Sequence, residues 1–86
     1  MTKHAKPEDR EKRDKIQRHF WNEVGAVEHI SLPKLKNALA KEFKCSDDRV
    51  IQAQIDLMQT EARIKIESRV KVWIKKPTMN HKDYSH

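Results

Sequence analysis

This chain has few of the residues that stabilise or anchor other proteins of its size. Its 86 residues include a single cysteine, Cys45, which leaves no partner for an internal disulfide and no thiolate cluster for zinc. No apolar run approaches the ~18 residues needed to span a bilayer, and the first residues lack the hydrophobic stretch of a secretory signal. We therefore expect no membrane partner and a location in the cytosol or the nucleus.

The sequence also lacks the residue groupings that carry catalysis or hold metals. Its five histidines have neither the i, i+4 spacing nor the cysteine spacing of a metal site. There is no Ser/His/Asp grouping, no glycine-rich loop and no carboxylate pair. Cys45 follows an apolar segment and is expected to be a small buried residue rather than a nucleophile. We expect no enzyme activity, no metal, no cofactor and no small-molecule ligand.

What the sequence does contain is charge of both signs, unevenly placed. Charged residues make up 37% of the chain and hydrophobic residues 36%, which is enough apolar material for one small core. The formal net charge is +6. Residues 1–19 carry a net +3, residues 20–62 a net −2 and residues 63–86 a net +5. The positive charge at both ends favours a polyanionic partner.

Pro7 suits the first position of a helix, and Gly25, the only glycine, suits its C-terminal cap, so a first helix is predicted between them. Up to residue 15 this helix has acidic side chains four positions before basic ones and almost no apolar residue, which is typical of a solvated helix. We therefore expect residues 1–15 to be a basic, solvated extension and residues 16–76 to form the domain. The apolar stripe consists of Ile16, Phe20, Val24 and Val27, with Trp21 beside it.

Two further helices are predicted after a short extended piece near Ile30. Ser31 or Leu32 caps the second helix, whose first turn contains Pro33, and Ser46 is expected to cap the third. Two amphipathic helices separated by about three residues indicate a helix-turn-helix. The predicted inner faces consist of Leu35, Ala38, Leu39 and Phe43 in the second helix, and of Val50, Ile51, Gln54, Leu57 and Met58 in the third.

After residue 62 the hydrophobic period drops to two, which predicts a β-hairpin with one buried face. A two-residue turn would place the apolar residues of the two strands on opposite faces, so we expect an odd-numbered turn at residues 67–69. That register pairs Ile66 with Val70 and Ile64 with Val72. Pro77 ends the second strand, and residues 77–86 are expected to form a polar, mobile tail.

The order helix, short strand, helix, turn, helix, hairpin resembles the winged helix-turn-helix superfamily. The resemblance covers residues 16–75 and is carried by residues 30–35, by residues 46–51 and by residues 62–75, which match the wing. It implies an α+β fold of three helices and a C-terminal two-stranded hairpin, with a further short strand near Ile30. Many members have glycine between the third helix and the wing, where this chain has Ala62. A positive φ at Ala62 would cost about 1 kcal/mol.

The resemblance implies a small transcriptional regulator of double-stranded DNA, with the third helix in the major groove and the wing on the backbone or minor groove. Such a protein is cytoplasmic and nucleoid-associated, or nuclear. The first helix often supplies a dimer contact in this superfamily, so the resemblance makes Trp21 a candidate for a homodimer contact; the alternative is a partly buried flanking residue. Two other functions stay open: a winged helix that docks another protein, and one that binds RNA through the wing and Trp73.

The exposed face of the third helix carries side chains suited to base edges. Arginine pairs with guanine, glutamine with adenine, and aspartate accepts a hydrogen bond from the cytosine amino group. The alternative is an ordinary polar helix face, and the acidic residues near it, Asp47 and Asp48 among them, would repel phosphates. The candidate DNA-binding residues of this helix are Ser46, Arg49, Gln52, Asp56 and Gln59.

The outward positions of the predicted wing carry cations and one aromatic residue: Arg63, Lys65, Arg69, Lys71, Trp73 and Lys75. Edge lysines also protect strands from aggregation, but the number here exceeds that need, so we expect phosphate contacts. Trp73 either stacks on a ligand or covers the hairpin's outer face. At the start of the second helix, Ser31 and Lys34 are candidates for a phosphate contact, with an ordinary helix cap as the alternative.

Overall fold

The computed structural model describes residues 7–77 of the chain. Three helices and a small antiparallel three-stranded sheet give the expected α+β class. The elements are α1 (Pro7–Val24), β1 (His29–Ile30), α2 (Leu32–Phe43), α3 (Asp48–Thr60), β2 (Ile64–Ser68) and β3 (Lys71–Ile74). No helix in this part of the chain is long and apolar enough to cross a membrane. Residues 1–6 of the predicted extension and residues 78–86 of the predicted tail lie outside the described residues.

All six elements contribute to one hydrophobic core. Each fully buried side chain of this kind stabilises the fold by about 2 kcal/mol. Ile55 is completely buried although the predicted inner face of α3 omitted it; it follows Ile51 by four positions and lies on the same face. The buried hydrophobic residues are Ile16, Phe20, Ile30, Leu35, Leu39, Ile51, Ile55, Met58, Ile64, Val72 and Ile74.

α1 ends next to Gly25, as the sequence predicts. Gly25 has φ +63°, a left-handed conformation that glycine adopts without steric cost, and its N–H donates to the Trp21 carbonyl at 2.8 Å. The chain leaves the helix direction at this point. Val27 therefore does not continue the apolar stripe of α1, and the prediction for it is wrong: its side chain is 85% exposed.

The other two helices end on residues other than glycine in the same left-handed conformation, Lys44 with φ +52° and Ala62 with φ +59°. After α3, the Ala62 N–H donates to the Gln59 carbonyl at 3.0 Å and the Arg63 N–H to the Met58 carbonyl at 2.8 Å, which are the paired bonds of a Schellman motif. Ala62 thus has the positive φ that glycine adopts more readily, at a cost of about 1 kcal/mol.

Of the two caps considered for α2, Ser31 is the one that the structure has, whereas the cap of α3 is Asp47 rather than the predicted Ser46. The Asp47 carboxylate accepts the Arg49 N–H at 2.9 Å. The turn uses residues 44 and 45 to complete the end of α2, so one more residue is needed before helical backbone resumes. Ser46 fills that position and is exposed.

The hairpin, defined as β2, β3 and the turn between them, differs from the predicted register. Ile66 pairs with Val72 and Ile64 with Ile74, while β1 pairs with the other side of β3 to give the order β1-β3-β2. The predicted pairs of Ile66 with Val70 and of Ile64 with Val72 are wrong. The turn consists of residues 69 and 70 rather than the predicted residues 67–69, and Val70 is 64% exposed in it. A bulge between Ile66 and Ser68 supplies the extra residue that keeps the apolar side chains of both strands on one face.

The first half of α1 is not uniformly solvated, because Arg13 is buried and only 1% exposed. Its guanidinium donates to Gln54 Oε1 at 2.7 Å and to the two carboxylate oxygens of Glu61 at 3.0 and 2.8 Å. Gln54 lies in α3, and Glu61 is the residue that ends it. The prediction of a solvated extension is therefore wrong at Arg13, whose hydrogen bonds connect α1 to Gln54 and Glu61.

Candidate nucleic-acid interface

The outer face of α3 is solvent-exposed at each predicted base-reading position: Arg49, Gln52, Asp56 and Gln59. Gln52 Nε2 donates to Asp56 Oδ1 at 3.1 Å, which holds the two side chains one helical turn apart. The acidic residues at the start of α3 have partners inside the protein. Asp47 caps the helix, and the carboxylate of Asp48 lies 3.5 Å from Lys36 Nζ.

The hairpin presents cations that have no acidic partner in the described part of the chain. Lys65 and Lys71 alternate with the buried residues of their strands and are exposed, Lys75 is exposed directly after β3, and Arg69 is exposed in the turn. None of these four forms a salt bridge within residues 7–77, where Glu67 is the only acidic residue of the hairpin itself. Their positive charge is therefore available to an anion from outside.

Unlike the hairpin cations, most cations on the helices have a carboxylate close by. Four pairs join or brace the helices: Lys15 with Glu42 at 3.3 Å, Arg18 with Asp14 at 2.7 Å, Lys34 with Glu23 at 3.1 Å and Lys36 with Asp48 at 3.5 Å. An exposed pair of this kind contributes little to stability, but it neutralises the local charge.

Arg63 is the exception among the predicted wing cations, since its side chain is only 15% exposed and turns toward α1. Its Nε donates to Glu61 at 2.7 Å, and its Nη1 donates to Asp14 at 2.9 Å and to Gln17 at 2.8 Å. α1 passes beside the start of β2 and places these acceptors there. The strand alternation that predicts an outward Arg63 carries no information about α1, so the expected phosphate-facing position is corrected.

Glu61 is the shared acceptor of this network. Partial burial raises the pKa of its carboxyl, but hydrogen bonds from Arg13 and Arg63, together with their positive charges, outweigh that effect and hold the pKa below its ordinary value of 4.5. Glu61 is therefore ionised at neutral pH. The network joins α1, the end of α3 and the start of β2, and so it fixes where the hairpin leaves the helices.

The groups predicted to contact a phosphate at the start of α2 already have hydrogen-bond partners within the protein. Ser31 Oγ accepts the Lys34 N–H at 3.3 Å, and the Ser31 carbonyl accepts the Leu35 N–H at 3.2 Å. The Leu32 N–H donates to the Arg69 carbonyl at 2.8 Å. The free N–H groups on which this prediction rests are thus used within the protein. The same bond places the hairpin turn against the start of α2.

Trp21 is partly buried against the core and lines a hollow of about 200 Å³ with Arg18, Asn22, Lys76 and Pro77. Pro77 is buried there. The prediction of a polar, mobile tail is therefore wrong at its first residue. Trp21 has the flanking position considered from the sequence, and its role in a dimer stays a prediction.

Trp73 lies on the outer face of the sheet, in the middle strand. His29 of β1 pairs with it on one side and Lys65 of β2 on the other. The imidazole of His29 meets the indole edge to face, with centroids 5.2 Å apart and planes at 74°. The indole Nε1 donates to Glu67 at 2.8 Å. Sequence reasoning missed His29, because the pairing partner of so short a strand cannot be deduced from its two residues.

Within residues 7–77 no group of three His, Cys, Asp or Glu side chains could hold a metal ion, and Cys45 is a half-buried free thiol whose Sγ accepts the Asp47 N–H at 3.4 Å. No protein-family model, curated protein or solved structure compared with this chain matches it.

Proposed function

We propose that this protein is a small winged helix-turn-helix protein that binds duplex DNA and regulates transcription. In this proposal the outer face of α3 lies in the major groove and the hairpin cations contact the phosphate backbone. The order and antiparallel pairing of the elements support the proposal, because they match the arrangement implied by the sequence resemblance. The observation that carries it is the distribution of unpaired charge.

That distribution separates the hairpin from the helices. Lys65, Arg69, Lys71 and Lys75 are exposed and have no salt bridge within residues 7–77, whereas most helix cations face a carboxylate. Unpaired cations gain more from a polyanion, since no internal ion pair must be broken first. Each phosphate neutralised also releases condensed counterions, which makes the binding salt-dependent. The hairpin is thus the principal backbone-contacting surface.

Sequence preference is assigned to the exposed face of α3. Arg49 has no salt bridge within the described residues, so its guanidinium is available for the paired contact with guanine. Gln52 is held by Asp56 through its Nε2, which leaves its carbonyl oxygen as an acceptor. Replacing Arg49 and Gln52 with alanine is expected to reduce sequence preference more than non-specific affinity, as measured by selection from random duplexes.

The direct test is the salt dependence of binding to a random-sequence duplex of about 20 base pairs, followed by fluorescence anisotropy. The double variant Lys65→Gln/Lys71→Gln is expected to bind about tenfold more weakly and to lower the slope of log K against log salt by about 2. The matched control is Lys15→Gln/Lys41→Gln, which removes the same charge from two exposed helix positions. We expect it to retain most of the slope.

Equal losses in the two double variants would contradict the hairpin assignment, because they would show a diffuse charge effect. Negligible DNA affinity at low salt would contradict the proposed function as a whole and would favour the protein-docking alternative. The same random-duplex selection tests the homodimer: a palindromic consensus is expected from a symmetric pair, and a single half-site from a monomer.

A further inference from the structure

We propose that the outer face of the sheet binds an unpaired nucleotide, whose base stacks on Trp73 while the hairpin cations hold its phosphates. The proposed ligand is a single-stranded nucleic acid. This inference rests on the proposed nucleic-acid role of the hairpin and adds a second mode of binding to it. We call this surface the Trp73 platform and define it by Trp73, His29, Lys65 and Lys71.

The position of Trp73 carries the inference. It lies in β3, the middle strand, with a cross-strand neighbour on either side, so the indole is in the centre of the outer face rather than at the turn. Duplex bases are already stacked and present only their edges to a protein. An aromatic ring that is half-buried on the outer face of a sheet is suited instead to a base that has left its stack.

Charge around the ring supplies the second part of the argument. Lys65 and Lys71 lie on the same outward face as Trp73, and neither has a salt bridge within residues 7–77. Cations flanking an aromatic ring match the alternation of phosphate and base along a single strand. One charge opposes this arrangement: the carboxylate of Glu67, which accepts the indole N–H at 2.8 Å.

The indole is also held in a defined orientation. Glu67 fixes Nε1, and the ring of His29 packs edge to face against the indole at 5.2 Å. His29 is also the cross-strand partner of Trp73, so the two rings are placed next to each other by the pairing of β1 with β3. A ring fixed before binding loses little conformational entropy when a base stacks on it.

Fluorescence of Trp73 provides the first test. In the variant Trp21→Phe, Trp73 is the only tryptophan, and a stacked base quenches its emission. The probes are a thymidine oligonucleotide of about 12 nucleotides, an abasic strand of the same length and charge, and a duplex of the same length. We expect strong quenching by the thymidine strand and little by the other two. Equal quenching by all three, or none, would overturn the stacking proposal.

Affinity provides the second test. Trp73→Leu is expected to weaken binding of the thymidine strand about tenfold while changing duplex affinity less than about twofold. Glu67→Gln keeps an acceptor for the indole N–H but removes its charge, and is expected to tighten single-strand binding about threefold.

The outcomes separate this inference from the proposed function. Normal duplex binding with an unaffected single-strand affinity in Trp73→Leu would refute the platform and leave the proposed function standing. If Lys65→Gln/Lys71→Gln loses both duplex and single-strand binding while the thymidine strand still quenches Trp21→Phe, the proposed function and the Trp73 platform are both supported. Should Trp73→Leu fail to fold, the quenching measurement still decides, because it retains Trp73. A uridine strand compared with the thymidine strand shows whether RNA or DNA is preferred.

Discussion

The helices and the hairpin use the same basic residue types in opposite ways. On α1 and α2, cations such as Lys15 and Lys34 lie beside carboxylates, whereas on the hairpin Lys65 and Lys71 have none within the described residues. A charge that is neutralised inside the protein contributes little to an external field, and one left open contributes fully. The net charge of the chain therefore says less about its binding surface than the pairing of individual charges does.

Arginine and lysine also differ between the two regions. Arg13 and Arg63 make several directed hydrogen bonds at once, which suits their planar guanidinium groups to a partly buried network. The open cations of the hairpin are mostly lysines, which act as point charges on flexible stems. The arginines thus stabilise the fold, and the lysines are available to a ligand. Both statements can be tested by substitution.

The largest effect on stability is expected from Arg13→Ala. It removes the buried guanidinium that donates to Gln54 and Glu61, so we expect the free energy of unfolding to fall by about 3 kcal/mol in urea denaturation. Lys15→Ala, two positions away and in an exposed pair, is the control and is expected to change it by less than about 0.5 kcal/mol. Similar losses in both variants would show that a buried ion pair contributes no more to stability than an exposed one.

A pH titration tests the same network from its acidic side. Because the pKa of Glu61 is lowered in the folded state, its contribution to stability is fully present above pH 4.5 and is lost as the pH falls through the lowered value. We expect Glu61→Gln to be less stable than the parent at neutral pH and to lose less of its stability on acidification. Parallel stability curves of the two proteins in urea between neutral and acid pH would show that Glu61 has no such role.

Ala62→Gly addresses the junction between the two regions. Glycine relieves the left-handed strain at φ +59°, so we expect a gain of about 1 kcal/mol in the free energy of unfolding. Ala53→Gly, the same replacement inside α3, is expected to destabilise the protein by about 1 kcal/mol. A loss of stability in both variants would mean that the turn geometry contributes no strain.

The smallest effect on stability is expected where the binding effect is greatest. Lys65→Gln/Lys71→Gln removes two charges that have no internal partner, so its unfolding free energy should differ from that of the parent by less than about 0.5 kcal/mol. Thermal unfolding followed by circular dichroism measures this. A large loss would reveal a structural role for these lysines and would make their effect on DNA binding ambiguous.

The order of elements could be predicted because helix and strand periods are local properties of the sequence. Gly25 and Ser31 mark helix ends through their own backbone chemistry: the predicted end of α1 at Gly25 is confirmed, and Ser31 is one of the two caps considered for α2. The predicted hairpin register is wrong because β2 contains a bulge. An extra residue is needed to keep the apolar side chains of both strands on one face, and it lies in β2 rather than in the turn. Two registers satisfy that constraint, and only packing chooses between them.

The candidate site was predictable to the extent that it depends on alternation along one element. Lys65, Lys71 and Trp73 point outward because their neighbours in the strands are buried. Arg63 follows the same alternation, yet its environment is set by Asp14 and Gln17 of α1, more than forty positions away. Contacts between distant elements leave no local signal, which is also why Arg13 and His29 escaped notice.

The bond between the Leu32 N–H and the Arg69 carbonyl gives the hairpin a mechanical property. A projecting loop swings freely and must lose that freedom when it meets a ligand, whereas this turn is tethered at its tip to the start of α2. Arg69 and its neighbours therefore meet a partner on a braced backbone, and only their side chains remain to be ordered. This bond limits the motion of the turn relative to α2.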